Sequence, residues 1–259
     1  MRLRIKFSGK SEAISLPCHH NEMLQGIIYH YLNGHLAERL HANGIRDPES
    51  NRGLKFFTFS RLISAKKPTI DPQNNIIKFY FPLTWVIASP LQEFIVSLYN
   101  TLRKKGAIYF YASDEPEKQT LQLLNVWLEP LPLYKRPVLV ETLSPISVYR
   151  TEEKENKNYT HYFSPSDPEF SNLIIMNLVR KYRTLTGNKL SLNEGAYIKP
   201  VKIPSRENIL YFKDTIIKGW SGIFELSIPK ELFPLAFSCG LGAKNSQGFG
   251  CISIWRGNP

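Results

Sequence analysis

The stretch GLGAKNSQGFG, residues 240–250, points most directly at chemistry. Its four glycines let the backbone take positive φ and come close to a ligand. Free N–H groups in such a loop form an anion-binding concavity, to which Lys244 adds a point charge. Asn245, Ser246 and Gln247 add neutral donors and acceptors. An anion is therefore the expected ligand, and the loop fails the nucleotide fingerprints. A P-loop needs Ser or Thr after its Lys, where Asn245 stands here. A dinucleotide loop needs glycine at 245 and a βαβ unit downstream, for which too little chain remains. A helix over 229–239 and a strand over 249–255 flank the loop, so its glycines also suit a helix C-cap and a tight turn.

Acid–base work near neutral pH calls for an imidazole. The segment NEMLQGIIYHYLNGHLAERLHANG, 21–44, carries His30, His35 and His41. Spacing does not choose among them, and His41, at the end of a short helical piece, also suits a helix C-terminus as a dipole partner. Leu24, Ile27, Ile28, Tyr31 and Leu32 form the apolar stripe of the first helix. Tyr29 lies roughly 130° from the centre of that stripe and faces away from the core. Metal chemistry finds no ligand pattern: there is no HExxH, and Cys18, Cys239 and Cys251 lack paired spacing. The cysteines read as small buried hydrophobes.

These groups must be positioned by the elements around them. Lys and Arg number 33 against 22 Asp and Glu, a formal charge of +11 that favours a polyanionic partner. No apolar run approaches 18 residues, so no membrane span is expected. The opening MRLRIKFSGK alternates apolar and basic residues and reads as a first strand rather than a signal peptide, which implies a cytoplasmic protein. Three prolines in EPLPLYKRP suggest a linker at 129–137 between domains 1–128 and 138–259. The first half reads as a strand (3–8), a helical region (21–43), strands (54–63 and 75–81), a helix (89–105) and strand material (107–128). The second reads as a strand (138–149), a helix (169–186), strands (195–203 and 209–228), a helix (229–239) and a strand (249–255). Both give βαββαβ, so the fold class is α+β, with two tandem ferredoxin-like (RRM-like) domains. The polar segment 151–169 reads as an exposed loop. The aromatic clusters at 56–59, 79–81 and 109–111 lack the Gly/Lys flanks of an RNA-stacking platform and read as strand packing.

The 240–250 stretch meets every fixed position of G-x-G-x-K-N-x-x-G-F-G. In this it resembles the CRISPR-associated repeat endoribonucleases, the Cas-six family of the RAMP superfamily. LQGIIYHYL (24–32), RLHANG (39–44), LKFFTFSRL (54–62) and VETLSPISV (140–148) are similar to family segments as well. The resemblance implies two ferredoxin-like domains around a central cleft that bind CRISPR repeat RNA and cut it once per repeat. It implies a metal-independent and cofactor-free reaction in which a 2′-hydroxyl attacks the adjacent phosphate. The products are a 2′,3′-cyclic phosphate (or 3′-phosphate) and a 5′-hydroxyl. By motif it assigns catalysis to Tyr29 (Q-G-x-I-Y), His41 (L-H) and Lys55 (before F-x-F-S). His41 is then the general base, Lys55 the transition-state cation and Tyr29 a phosphate-orienting hydroxyl. RNA contacts fall to Gly240, Gly242, Lys244, Asn245, Ser246, Gln247 and Gly248. Arg180, Lys181, Arg183, Lys199, Lys202 and Lys218 extend the basic surface. The alternative is a repeat-RNA-binding protein or effector-complex subunit that does not cut. Monomer and homodimer both stay open.

Overall fold

The computed structural model describes residues 1–110, 119–154, 157–192 and 195–257. Two antiparallel sheets with helices against them carry the fold. In the first, the strand Arg2–Ser8 is central, antiparallel to Leu83–Ala88 on one side and to Gln119–Glu129 on the other. Ala107–Phe110 extends the Gln119–Glu129 edge, and Thr58–Phe59 and Ile63–Ser64 pair on the Leu83–Ala88 edge. Alternation buries Leu3, Ile5 and Phe7, which join the apolar faces of helices α1 (Asn21–Tyr31), α2 (Gly34–Ala42) and α3 (Gln92–Lys105) in one core. In the second sheet Val138–Thr142 is central, between Ile223–Ser227 and Ile252–Ile254, and Tyr197–Lys202 pairs outside Ile223–Ser227. Helices α4 (Pro168–Thr186) and α5 (Phe233–Cys239) close a second core through Phe170, Ile174, Leu178, Phe233 and Ala236. Both sheets have the ferredoxin-like order, with the first strand between the third and fourth and the second outside the third.

Several elements differ from the sequence expectation. The third strand of the first sheet is Leu83–Ala88, not 75–81; its run LTWVIA is buried nearly throughout, as a strand covered on both faces must be. Ile76–Tyr80 instead joins Ala13–Pro17 and Thr69–Asp71 in a small side sheet. The expected strand 54–63 breaks into short pieces, Gly53–Leu54, Thr58–Phe59 and Ile63–Ser64. Residues 151–154 and 157–162 are strand rather than loop: Tyr149–Lys154 pairs with Lys157–Tyr162, setting Tyr149 opposite Tyr162 and Thr151 opposite Thr160. The expected strand 209–228 is a hairpin, Asn208–Phe212 with Thr215–Gly219, followed by Ile223–Ser227; Lys213 makes its turn at φ 52°. Proline delays the last helix to Phe233, with Pro234 in its first turn. Of the expected strand 107–128 and the cluster 109–111, residues 111–118 lie outside the described residues, as do 155–156 of the expected loop.

Polar side chains cross between the halves. Arg2, buried on the first strand, donates to the carbonyls of Phe237 (2.8 Å) and Ile252 (2.6 Å), with its guanidinium 3.6 Å from the Phe237 ring centroid. Buried Asp47 accepts from the Ser50 hydroxyl and amide, from Arg183 (2.9 Å) and from Thr184 (3.2 Å), the last two on α4. These bonds, the Ser50 hydroxyl first, hold the Asp47 carboxyl well below its ordinary pKa of 3.8. A carboxylate with a depressed folded-state pKa contributes fully above the unfolded pKa and loses that contribution as pH falls toward the folded one. Asp47→Asn is therefore expected to cost about 2–3 kcal/mol at pH 7. In urea unfolding the gap from the parent should narrow below about pH 4. An equal gap at pH 7 and pH 3 would show that the charge on Asp47 contributes nothing.

Candidate active site

Helix α1 has two working faces. Its apolar stripe enters the core, while Asn21, Gln25 and Tyr29 stand at i, i+4 and i+8 on another side. Asn21 donates to the Gln247 carbonyl (2.8 Å) and Gln25 to that of Ser246 (2.6 Å), so this side of α1 holds the glycine-rich loop. Thr58 adds a bond to the Phe249 carbonyl (2.9 Å). Tyr29, one turn beyond Gln25, continues that side of the helix and packs half-buried against the edge of the first core.

Helix α2 then delivers His41. Its ring lies 5.2 Å from that of Tyr29, edge to face at 79°, and Phe57 packs on Tyr29 at 5.8 Å. After α2 the chain reverses in a two-residue ribbon, Ile45–Arg46 against Gly53–Leu54, which returns it to Lys55. The ribbon needs glycine at 53, because a Cβ there would stand 1.9 Å from the Asn43 carbonyl oxygen. Lys55 Nζ consequently sits 5.6 Å from the Tyr29 ring centroid. Residues 29, 41 and 55 are thus brought together by one helix, one helix end and one tight reversal. His30 instead faces Lys105, 3.4 Å away, and His35 begins α2, so His41 is the histidine against Tyr29.

The environments differ. His41 is exposed to solvent and Lys55 is half-buried. Burial, and secondarily the charge of Lys213, pushes the Lys55 pKa down from 10.5. The Tyr29 hydroxyl is buried with no hydrogen-bond partner among the described residues, and burial pushes its pKa up to about 12. Tyr29 thus stays a neutral phenol at physiological pH, a donor with nothing to donate to.

The glycine-rich loop is built otherwise than a bare anion cradle. The amides of Leu241, Ala243, Gln247, Gly248 and Gly250 all donate to backbone carbonyls. The Asn245 side chain points inward, donating to the Leu241 and Phe249 carbonyls, both at 3.0 Å. Beneath it Lys181, expected on the surface, is buried and donates to Gly240 O (3.1 Å), Gly242 O (3.3 Å) and Asn245 Oδ1 (2.7 Å). Gly248 sits at φ 85° so close to the first half that a Cβ would lie 2.5 Å from Phe59 Cε2 and 2.7 Å from Asn21 Nδ2. Gly240, Gly242, Asn245 and Gly248 are buried, whereas Lys244, Ser246 and Gln247 keep partial exposure. Lys244 and Ser246 face a cleft of about 260 Å³ whose other walls include Lys55, Arg52, Tyr149 and Arg180. The cleft therefore joins Lys55 to the outward residues of the loop.

Other expected basic positions are occupied differently. Arg183 is engaged by Asp47 and Glu49, and Lys218 by Glu207 at 3.0 Å. Lys199 and Lys202 are exposed on the strand Tyr197–Lys202, the former 4.2 Å from the Tyr197 ring centroid. Sequence reasoning missed the Asn21–Gln25–Tyr29 face, although its i, i+4, i+8 spacing was available. Among the described residues there is no cluster of His, Cys, Asp and Glu able to hold a metal, and no helix long and apolar enough to cross a membrane.

Comparisons with known proteins bear on both halves. Residues 128–254 match the family model for CRISPR associated protein Cas6, C-terminal. A Methanocaldococcus jannaschii protein, CRISPR-associated endoribonuclease Cas6 1, is 25% identical, across 97% of this chain and 92% of its own length. The Pyrococcus furiosus CRISPR-associated endoribonuclease Cas6 is 26% identical, across 97% of this chain and 88% of its own. A solved structure from a study of a Cas6-related gene of Pyrococcus furiosus shares the fold at TM-score 0.82 and 20% identity, covering 100% of this chain and 99% of that one.

Proposed function

Because the chain belongs to the Cas6 family, we propose that it is an endoribonuclease that cuts CRISPR repeat RNA in the cytoplasm without a metal ion. It would act as two units, 1–128 and 138–259, joined by 129–137. The observation that carries this reading is the convergence of His41 and Lys55 on the Tyr29 ring, with Lys55 lining a cleft that it shares with the glycine-rich loop.

The chemistry follows from these groups. His41, open to solvent and so to substrate, takes the proton of the ribose 2′-hydroxyl as that oxygen attacks the adjacent phosphorus. The phosphorane gains negative charge, which the Lys55 ammonium stabilises; partial desolvation strengthens that attraction relative to bulk water. Tyr29, held neutral by burial, donates a hydrogen bond to a non-bridging phosphate oxygen. The P–O5′ bond breaks and the imidazolium returns its proton to the leaving 5′-oxygen. Atoms balance without a water molecule: one product ends in a 2′,3′-cyclic phosphate, the other begins with a 5′-hydroxyl. Lys244, Ser246 and Gln247 contact the RNA backbone, while Gly240, Gly242, Asn245 and Gly248 shape the loop that presents them.

The test is cleavage, in EDTA, of an end-labelled RNA carrying the repeat of a CRISPR array adjacent to the gene. One discrete cut is expected, and it should vanish when a single 2′-deoxy residue replaces the ribose at the cut. A cut that needs added metal, or that survives the deoxy substitution, would overturn the mechanism. Tight, salt-sensitive binding without cutting would identify an RNA-holding protein instead.

A further inference from the structure

The cleft holding Lys55 and Lys244 opens into a larger groove of about 990 Å³ along α4 and the strand Tyr149–Lys154. Five residues line both spaces and so form the neck between them: Arg52, Tyr149, Asn177, Arg180 and Ala243. Two of these carry polar atoms that the fold leaves unused. Asn177 Oδ1 and Arg180 Nε are buried with no hydrogen-bond partner among the described residues. Their neighbours on α4 are engaged: Lys181 in the loop, Arg183 on Asp47 and Glu49, Thr184 on Asp47 and the Arg180 carbonyl. An unsatisfied buried donor or acceptor costs about 1–3 kcal/mol, so one of each at i and i+3 on one helix face needs an explanation. Tyr149 supplies an aromatic ring at the same neck, with Lys244 Nζ 5.4 Å from its centroid.

We propose that this neck is a nucleotide-reading subsite: it seats one unpaired nucleotide next to the scissile one, with Asn177 reading its base and Arg180 holding its phosphate. The inference rests on the endoribonuclease reading and adds a specificity determinant to it. The base stacks on Tyr149, as unpaired RNA bases do on aromatic rings. The Asn177 amide oxygen accepts from an exocyclic amino group while its NH₂ meets a ring nitrogen, a pairing that suits adenine. The Arg180 guanidinium, always charged and forked, suits a phosphate.

The test is a series of repeat RNAs changed one position at a time within five nucleotides of the cut, assayed by kcat/KM. With the parent protein, one position is expected to prefer adenine, and purine lacking the 6-amino group there should cost about tenfold or more. Asn177→Ala should flatten that one preference and leave the ranking at every other position unaltered. Asn177→Asp, which keeps an acceptor oxygen but sets a second one against the ring nitrogen, should weaken the adenine preference as well. Arg180→Gln should weaken binding about equally for all sequences and lower the salt slope by about 0.7. An unchanged adenine preference in Asn177→Ala, or no single-position preference in the parent, would overturn the subsite while leaving the nuclease standing. Failure of the parent to cut any repeat would overturn both.

Discussion

Replacing His41 by Ala is expected to slow cleavage of a repeat RNA by about 10²–10⁴-fold, the usual worth of a positioned general base. Affinity should change little, because the ring is exposed at the end of α2 and packs edge to face on Tyr29. The glycine-rich loop does not depend on it, being fixed by Asn21, Gln25, Thr58 and Lys181. The loss should therefore fall in the single-turnover rate at saturating RNA and not in the dissociation constant. Folding should be retained as well, since an exposed His→Ala change at a helix end lies near the bottom of the mutational range. Normal cleavage by the variant would remove His41 from the reaction. A parallel loss of binding and rate would make it a contact residue and not a base.

How far the sequence announced this site depended on the distance over which its residues communicate. The α1 stripe was legible because Leu24, Ile27, Ile28 and Tyr31 interact with one face set by a fixed helical period, and all four are buried. The same period turned Tyr29 off that stripe, yet the structure packs it half-buried against the core, with Phe57 on its ring and its hydroxyl enclosed. The choice among His30, His35 and His41 was not legible, since it depends on the ribbon between residues 45 and 54 returning Lys55 toward α2. That closure is tertiary and leaves only Gly53 as a local trace. The β order was readable in outline, yet 75–81 drew the third strand away from Leu83–Ala88, because a strand buried on both faces has no alternation to find. The hairpin of Tyr149–Lys154 with Lys157–Tyr162 was hidden by its polarity: exposed residues such as Arg150, Glu152 and Glu153 look like a loop until their partners are known. Lys181 was the furthest from view. A lysine in RKYR on a helix reads as surface, and nothing local says that a loop sixty residues later will close over it.

That burial makes Lys181 the residue whose loss should unmake the loop. Its ammonium has three N–H donors, and the loop supplies three acceptors within reach, Gly240 O, Gly242 O and Asn245 Oδ1. The side chain is 6% exposed, and burial pushes its pKa down, so the charged form is held by those bonds against desolvation. Lys181→Met keeps the length and apolar stem but removes every donor. Two effects then oppose each other: the ammonium no longer needs desolvating, but three buried acceptors lose their partner. Swapping a whole buried polar set for apolar groups can be neutral; here the acceptors stay, two of them backbone, and cannot be swapped. The second effect wins, and the variant is expected to lose about 2–4 kcal/mol. The damage should be local as well as global. Asn245, freed at Oδ1, no longer fixes the turn that aims Lys244 and Ser246 into the cleft shared with Lys55. Hydrogen exchange of the 240–250 amides should accelerate beyond the global change, and affinity for repeat RNA should fall with it. A Lys181→Met protein with the parent's urea midpoint and the parent's exchange across 240–250 would show that the loop stands without its cation. In that case the glycines and Asn245 suffice, and the buried charge needs another purpose.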